Sequence, residues 1–481
     1  MNVHIRGGDI HLLDIRTRMP FKYGIATMTS TPHLFLRLKV QVDGKPATGI
    51  AADHLPPKWF TKDPDRPVGE ETHEMLRVAE KALELAVGLR ADCAFDAWLQ
   101  HQQAQSAWGR DEQLPSLLTQ FGTSLVERAV IEAVCRVADR PFHELLRANV
   151  FGVRLSDVYD WLDGPPAEFL PGRPLDRITD RHTIGLLDPL QEEDIPAEER
   201  LDDGLPQSLA ACIREYGLRH FKVKISGDIG PDIERLCRIE KVLRANAPAD
   251  YAFSLDGNER FDSLHEFGSY CLGLQLHPTW AGLALHLLFV EQPVHRSAAF
   301  RPAQLFGNPR DWPGQPPIII DESDAEPGSL GAALQVGYAG TSHKNCKGVF
   351  KSIINFCLLE QQRRERPEER LLLSGEDLAT IGPVSLPQDL AVCAALGIVS
   401  VERNGHHYFA GLSMFPPDVQ RQVLEHHGDL YHPSRDGWPT LAIHDGAVAT
   451  GSLLRAPFGV GFEMPVERFL TPDAWRRANP V

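Results

Sequence analysis

Apolar and polar positions change their rhythm along the chain. Residues 1 to about 60 alternate in stretches such as IHLLDIRTRMPFKYG and PHLFLRLKVQVDGKPATGIAA, the period-two pattern of half-buried strands, and VDGK marks a hairpin between two of them. Met75, Ala79, Ala82, Leu83 and Ala86 then recur at helical spacing, which predicts an amphipathic helix over 70–90. SLVERAVIEAVCRVADR predicts a second long helix, ended by Pro141. Residues 1–150 thus read as an α+β module.

Residues 163–200 are rich in Pro and Asp and read as loop around a short strand, RHTIGLLD. Beyond them short apolar runs alternate with helical stretches: FKVKISG, YAFSLDG, LLFVEQP, PIIIDES, GTSHKNCKG, RLLLSGED and GIVSVERN. Such runs suit parallel strands buried on both faces. From Lys224 to Asp256 is 32 residues, to Glu291 another 35, to Asp321 another 30 and to Lys344 another 23, the lengths of single βα units. No GxGxxG follows the first of these strands and no GxxxxGK[ST] occurs, which removes the main argument for a nucleotide-binding open sheet. A (β/α)8-type barrel is the better reading.

In such a barrel the chemistry sits at the C-terminal strand ends. YAFSLD ends in Asp256, LLFVE in Glu291 and PIIID in Asp321, so three consecutive strands bring carboxylates to one rim. Crowded carboxylates call for a cation, and an all-oxygen ligand set without Cys or His favours Mg²⁺ over zinc. Lys222 and Lys224 lie on one face of the strand before these acids, and Lys344 follows them. A lysine serves as a general base only if its pKa is lowered, as neighbouring cations and desolvation can do. The plainer role, salt bridges to the acids, is the expectation for Lys347 and Lys351, which enter the next helix.

Charge and cysteine content narrow the partners. A net charge of -16 disfavours nucleic acid and anionic membrane, leaving a small-molecule partner, with homo-oligomerisation open. The first twenty residues lack a signal-peptide core and no run reaches membrane-spanning length, so the expected compartment is the cytoplasm. The eight cysteines are scattered without a CxxC pair and read as reduced, mostly buried thiols.

FKVKISGD, SLDGNERF, FVEQP, IIIDES and HKNCKG, in this order and spacing, resemble the enolase superfamily, in particular the muconate-lactonizing-enzyme-like subgroup of the mandelate racemase/muconate lactonizing enzyme family. RMPFKYG, VERAVIEAVCRVADRPFHELL and the closing RAPFGVGFEM resemble that family's capping domain and C-terminal return. The resemblance implies an α/β fold: a capping domain at 1–150, a modified (β/α)7β TIM-type barrel at 151–430, and a segment at 431–481 returning to the cap. It implies that Asp256, Glu291 and Asp321 bind Mg²⁺, that Lys224 and Lys344 are acid/base groups on opposite faces of a carboxylate substrate, and that Lys222 adds positive charge beside Lys224. Lys22 and Tyr23 of the first capping stretch and His407 of GHHYF are further candidate substrate contacts. Asn258, Glu322 and Glu376 are candidates for supporting the ligands from behind.

The sequence also departs from mandelate-racemase-like members, which place a catalytic His on strand 7 and an Asp on strand 6, where this chain has LLLSGED and SHKNCKG. Glu376, Asp377 and Glu402 either cap helices or reach the mouth, and His406 and His407 either touch substrate or pack. His343 should face away from Lys344. The stretches 18–30, 50–65 and 297–316 are expected to set the substrate. The expected activity is Mg²⁺-dependent removal of the proton α to a carboxylate, leading to racemisation or epimerisation, cycloisomerisation or β-elimination. Two other classes stay open: a Schiff-base lysine lyase or aldolase on the same barrel, and a non-catalytic carboxylate-binding protein.

Overall fold

The computed structural model describes residues 1–301 and 316–480; residues 302–315 of the expected substrate-facing stretch 297–316 lie outside it. The N-terminal strands β1 (Val3–Tyr23), β2 (Ala26–Val42) and β3 (Lys45–His54) form an antiparallel meander, and β4 (Arg90–Ala91) pairs with the start of β1. Between β2 and β3, Asp43 and Gly44 both take positive φ, 47° and 78°, the turn that VDGK predicts. Helix α1 (Val68–Ala86) buries the expected Met75, Ala79, Ala82 and Ala86, with Leu83 at the edge of the core.

Helix α2 (Ala94–Asp111) was not anticipated, because part of its buried face is polar. His101 and Gln105 are inside, with His101 Nε2 2.8 Å from the Ala82 carbonyl and Gln105 Nε2 donating to the Val78 carbonyl at 3.3 Å. Helix α3 (Ser116–Ala138) starts eight residues before the expected Ser124 and is buried from Leu117 to Cys135, since it packs against both the sheet and the other helices. It approaches β3 so closely that a Cβ on Gly49 would lie 1.8 Å from the Ala129 carbonyl oxygen, so only glycine fits there. Its fully buried Arg128 donates to Ser124 O, Ala52 O and Asp53 Oδ2, fastening α3 to β3.

Eight parallel strands form the barrel: β5 (Arg177–Ile184), β6 (His220–Lys224), β7 (Ala252–Asp256), β8 (Leu287–Glu291), β9 (Ile318–Ile320), β10 (Gly340–His343), β11 (Leu372–Gly375) and β12 (Ser400–Arg403). Each pairs with the next, and β12 pairs with β5 from Ser400↔Thr179 to Arg403↔His182, which closes the ring. RHTIGLLD, read as a strand within loop, is the first barrel strand. Near the C-terminus Leu470 bridges to Leu12 of β1, Phe469 stacks on Phe35 with centroids 5.2 Å apart, and Trp475 Nε1 donates to Asp14 at 2.7 Å. No helix among the described residues is long and apolar enough to cross a membrane. All the cysteines are free, and all but Cys237 are buried.

His54, at the end of β3, lies where the cap meets the barrel. Its Nδ1 is 3.0 Å from His33 Nδ1 and its Nε2 is 2.9 Å from the Ala379 carbonyl. Burial pushes His54 down to about 4 from the ordinary 6.5, only partly opposed by Ala379. Folded protein therefore binds this proton more weakly than unfolded chain, and its stability falls as pH drops from 6.5 towards 4, by about 3 kcal/mol for a shift of this size. The melting temperature of wild type should decline across that window, and that of His54→Phe should decline less steeply.

Candidate active site

Strand pairing aligns Lys224 with the first two acids, and the other groups come in just beyond the strand ends. Lys224 lies opposite Asp256, and Asp256 opposite Glu291; Asp321 directly follows β9 and Lys344 directly follows β10. Since side chains alternate, Lys222, Lys224 and Asp256 all point into the barrel. None of Lys222, Lys224, Asp256, Glu291, Asp321 and Lys344 is more than 7% exposed.

The ammonium groups sit among the carboxylates. Lys222 Nζ is 3.0 Å from Asp256, 2.6 Å from Glu291, 2.8 Å from Glu376 and 2.9 Å from Glu402. Lys224 pairs with Asp256, and Lys344 pairs with Asp321 while lying 3.9 Å from Glu291. Lys347 holds Asp321 Oδ1 at 3.1 Å, the expected salt bridge, whereas Lys351 pairs at 3.2 Å with Asp324, which is not one of the three acids. Ser342 Oγ donates to Asp321 at 2.6 Å, and the Asp321 backbone N–H donates to Gln292 Oε1 at 2.8 Å.

Burial would lower the Lys222 pKa, but the surrounding carboxylates outweigh it and hold it well above the ordinary value. Lys344 is likewise raised against burial, by Asp321 and Glu291. Burial tends to raise Asp321 and Glu402, but the lysines hold both well below the carboxylate range. Glu291 goes the other way: burial, then Asp256 and Glu376, raise it well above. Lys222 and Lys344 therefore stand as ammonium ions in this state. The sequence argument of a cation lowering its neighbour left out the nearer carboxylates, which act in the opposite direction.

Above these groups lies a narrow cavity of about 20 Å³. Lys222, Lys224, Asp256, Asp321, Lys344 and Glu402 line its floor, and Phe21, Tyr23, Met28, Pro56, Trp59 and Leu378 line its apolar part. The cap supplies most of the apolar side, from MPFKYG and AADHLPPKWF, which lie within the stretches 18–30 and 50–65 expected to set the substrate. Lys344 Nζ lies 4.7 Å from the centre of the Trp59 ring, within cation–π range. The barrel fixes that loop: Arg296 donates to the Trp59 and Phe60 carbonyls at 2.8 and 2.9 Å and is itself clamped by Glu259.

The remaining expected residues divide. Tyr23 lines the cavity and donates to Pro57 O at 2.9 Å, whereas Lys22, its neighbour on an alternating strand, does not. Asn258 lines the cavity, and its backbone N–H donates to Asp256 Oδ1 at 2.8 Å. Glu376 touches Lys222 directly and also pairs with Arg181. Glu322 is buried and pushed up to about 7, by burial and then by Asp321 and Glu259. His407 does not line the cavity: it is buried with Nδ1 3.6 Å from Cys212 Sγ and its ring edge-on to His182. His343 faces away from the mouth, 2.7 Å from Ser352 Oγ and 3.3 Å from Asp389.

Sequence reasoning did not single out Trp59, Met28, Asn404 or Gln292. Asn404 could have been found, since it stands two residues after Glu402 and so shares its face; its Nδ2 donates to Glu402 at 3.0 Å. Asp377 and Glu402, left between two roles, both reach the mouth.

The donor set fits Mg²⁺ in its chemistry. Asp256, Glu291 and Asp321 offer only oxygen, and Glu291 Oε2, although near Lys222, has no hydrogen bond of acceptable geometry. A buried acid whose pKa is pushed up by burial and by its acidic neighbours is one that a dication would serve.

No protein-family model matches the sequence, and no curated protein matches it. Solved structures match almost end to end. Muconate lactonizing enzyme from Pseudomonas fluorescens in complex with muconolactone aligns at TM-score 0.60 and 17% identity, over 96% of this chain and 97% of that one. An enolase from Bradyrhizobium complexed with magnesium and mandelic acid aligns at 0.57 and 15%, over 98% and 99%. A dipeptide epimerase from Cytophaga hutchinsonii complexed with Mg and D-Ala-L-Val aligns at 0.55 and 15%, over 85% and 89%. At such identities the likeness establishes the capped barrel fold.

Lys222 neutralises carboxylates that would otherwise be buried together. Lys222→Met should destabilise the protein by about 3–5 kcal/mol in urea unfolding, the usual cost of stranding buried charge, and millimolar Mg²⁺ should restore part of that loss.

Proposed function

We propose that this protein is a Mg²⁺-dependent enzyme that removes the proton α to a substrate carboxylate, then either returns a proton or expels a β-group. The observation that carries this reading is the three carboxylates gathered at the ends of β7, β8 and β9, with Asp256 directly opposite Glu291, flanked by Lys224 on one side and Lys344 on the other. The solved structures with the same fold are a muconate lactonizing enzyme complexed with muconolactone, an enolase complexed with magnesium and mandelic acid, and a dipeptide epimerase complexed with Mg and a dipeptide, which agrees with chemistry at carbon next to a carboxylate.

In this reading Asp256, Glu291 and Asp321 hold the ion. When bound, Mg²⁺ supplies positive charge against the charge that develops on the substrate carboxylate and competes with Lys224 and Lys344 for Asp256 and Asp321. Lys224 Nζ, as the neutral amine, takes the α-proton and becomes the ammonium, and Lys344 Nζ serves the opposite face of the same carbon. Lys222 remains the positive neighbour at the base of the site. The cap excludes water, and Phe21, Met28, Trp59 and Leu378 make an apolar wall, so the substrate carries its carboxylate at one end and an apolar group at the other. A Schiff base would instead require Lys224 or Lys344 to attack a substrate carbonyl, a route that needs no Mg²⁺.

Exchange of α-hydrogen for deuterium, followed by NMR across a library of carboxylic acids with apolar substituents in D₂O and Mg²⁺, tests this. Wild type should exchange at least one member, and Lys224→Ala and Lys344→Ala should slow exchange by about 10²–10⁴-fold. Equal exchange by the lysine variants, or a borohydride-trapped lysine adduct formed in the presence of EDTA, would contradict it.

A further inference from the structure

The layer between the first barrel strand and the helix after it holds unexpected chemistry. On β5, Arg181 and Thr183 reach into the barrel, where they donate to Ser374 and Glu402, so Asp180 and His182 point outward. That outer layer is usually aliphatic in a parallel barrel. Here it contains Asp180, His182, Cys212 from the helix Leu209–Tyr216, and His406 and His407 from the short helix after β12, none more than 5% exposed.

Among the described residues neither oxygen of Asp180 has a hydrogen-bond partner, and neither has His406 Nδ1, which lies 3.6 Å from Asp180 Oδ2. His182 Nδ1 lies 3.3 Å from Nε2 of the same His406 ring. Donor atoms of Asp180, His182 and His406 lie within 4.8 Å of one another, as do those of His182, Cys212 and His407. Arg403, whose charge reaches Asp180, is engaged by Asp389 and by Asp377 at 3.5 Å. A fully buried carboxylate without a partner is costly, and a cation is one remedy. Ligand atoms around a tetrahedral zinc, with bonds of about 2.0–2.1 Å, stand roughly 3.3–3.4 Å apart. The contacts of Asp180 and His182 reach opposite nitrogens of the His406 ring, so a single ion takes one of those nitrogens and draws the remaining ligand in from within 4.8 Å.

We infer that Asp180, His182 and His406 form a second metal site, distinct from the acids of the mouth, for one divalent ion of the zinc class, with the Cys212–His407 pair beside it. Two imidazoles and a nearby thiol select such an ion over magnesium. The ion ties the first barrel strand to the segment after the last one, across the seam where the barrel closes, and its role is structural.

Metal content after dialysis against zinc-free Mg²⁺ buffer provides the test. Wild type and the mouth variant Asp256→Asn/Asp321→Asn should each retain one zinc per chain, whereas Asp180→Asn and His406→Gln should bind zinc at least tenfold more weakly. A wild type without stoichiometric zinc, or zinc lost from the mouth variant and kept by Asp180→Asn and His406→Gln, would overturn the inference. X-ray absorption on zinc-loaded wild type serves if these variants do not fold: two imidazole shells are expected, and an all-oxygen sphere would overturn it.

Discussion

Buried negative charge at the barrel mouth is the constraint on which the rest of the structure depends. Asp256, Glu291, Asp321, Glu376 and Glu402 are removed from water at adjoining strand ends, where unneutralised carboxylates would be prohibitive. Lys222, Lys224, Lys344 and Lys347 answer that charge from within the same ring. The arrangement is stable without being inert. Each ammonium holds a carboxylate that a dication would also hold, so loading the acids and freeing the lysines are opposite sides of one exchange.

The scaffold serves this charge balance. Parallel pairing sets Asp256 beside Glu291, and closure of β12 on β5 brings Glu402 round to Lys222. The cap adds what the barrel lacks, an apolar cover. Its Trp59 lies over Lys344 because Arg296 and Glu259 of the barrel hold that loop, while Arg128 anchors β3 through α3. A low-dielectric cover strengthens every charge interaction beneath it, which makes the apolar roof part of the electrostatics as well as a surface for substrate.

The parts of this architecture legible in the sequence were those encoded locally. Apolar runs ending in Asp256, Glu291 and Asp321 announce strand ends because each run is short, clean and followed by a polar break. The helix face of Met75, Ala79 and Ala82 follows from spacing alone. What escaped depends on contacts distant in sequence. Helix α2 hides His101 and Gln105 behind carbonyls of α1, so its pattern looks polar. Lys222 reads as one positive charge beside another, yet its partners Glu376 and Glu402 lie more than 150 residues away. His407 sits in a loop region expected near substrate, but the chain turns it towards Cys212.

The central claim is that the acids at the ends of β7, β8 and β9 converge on a divalent ion in exchange for their lysine partners. Anomalous diffraction from crystals grown with Mn²⁺ and an unreactive carboxylate tests it most directly. The account predicts a single strong peak bounded by Asp256, Glu291 and Asp321, with Lys224 and Lys344 withdrawn from Asp256 and Asp321. Absence of a peak there, with both ammoniums still paired to those aspartates, would contradict it.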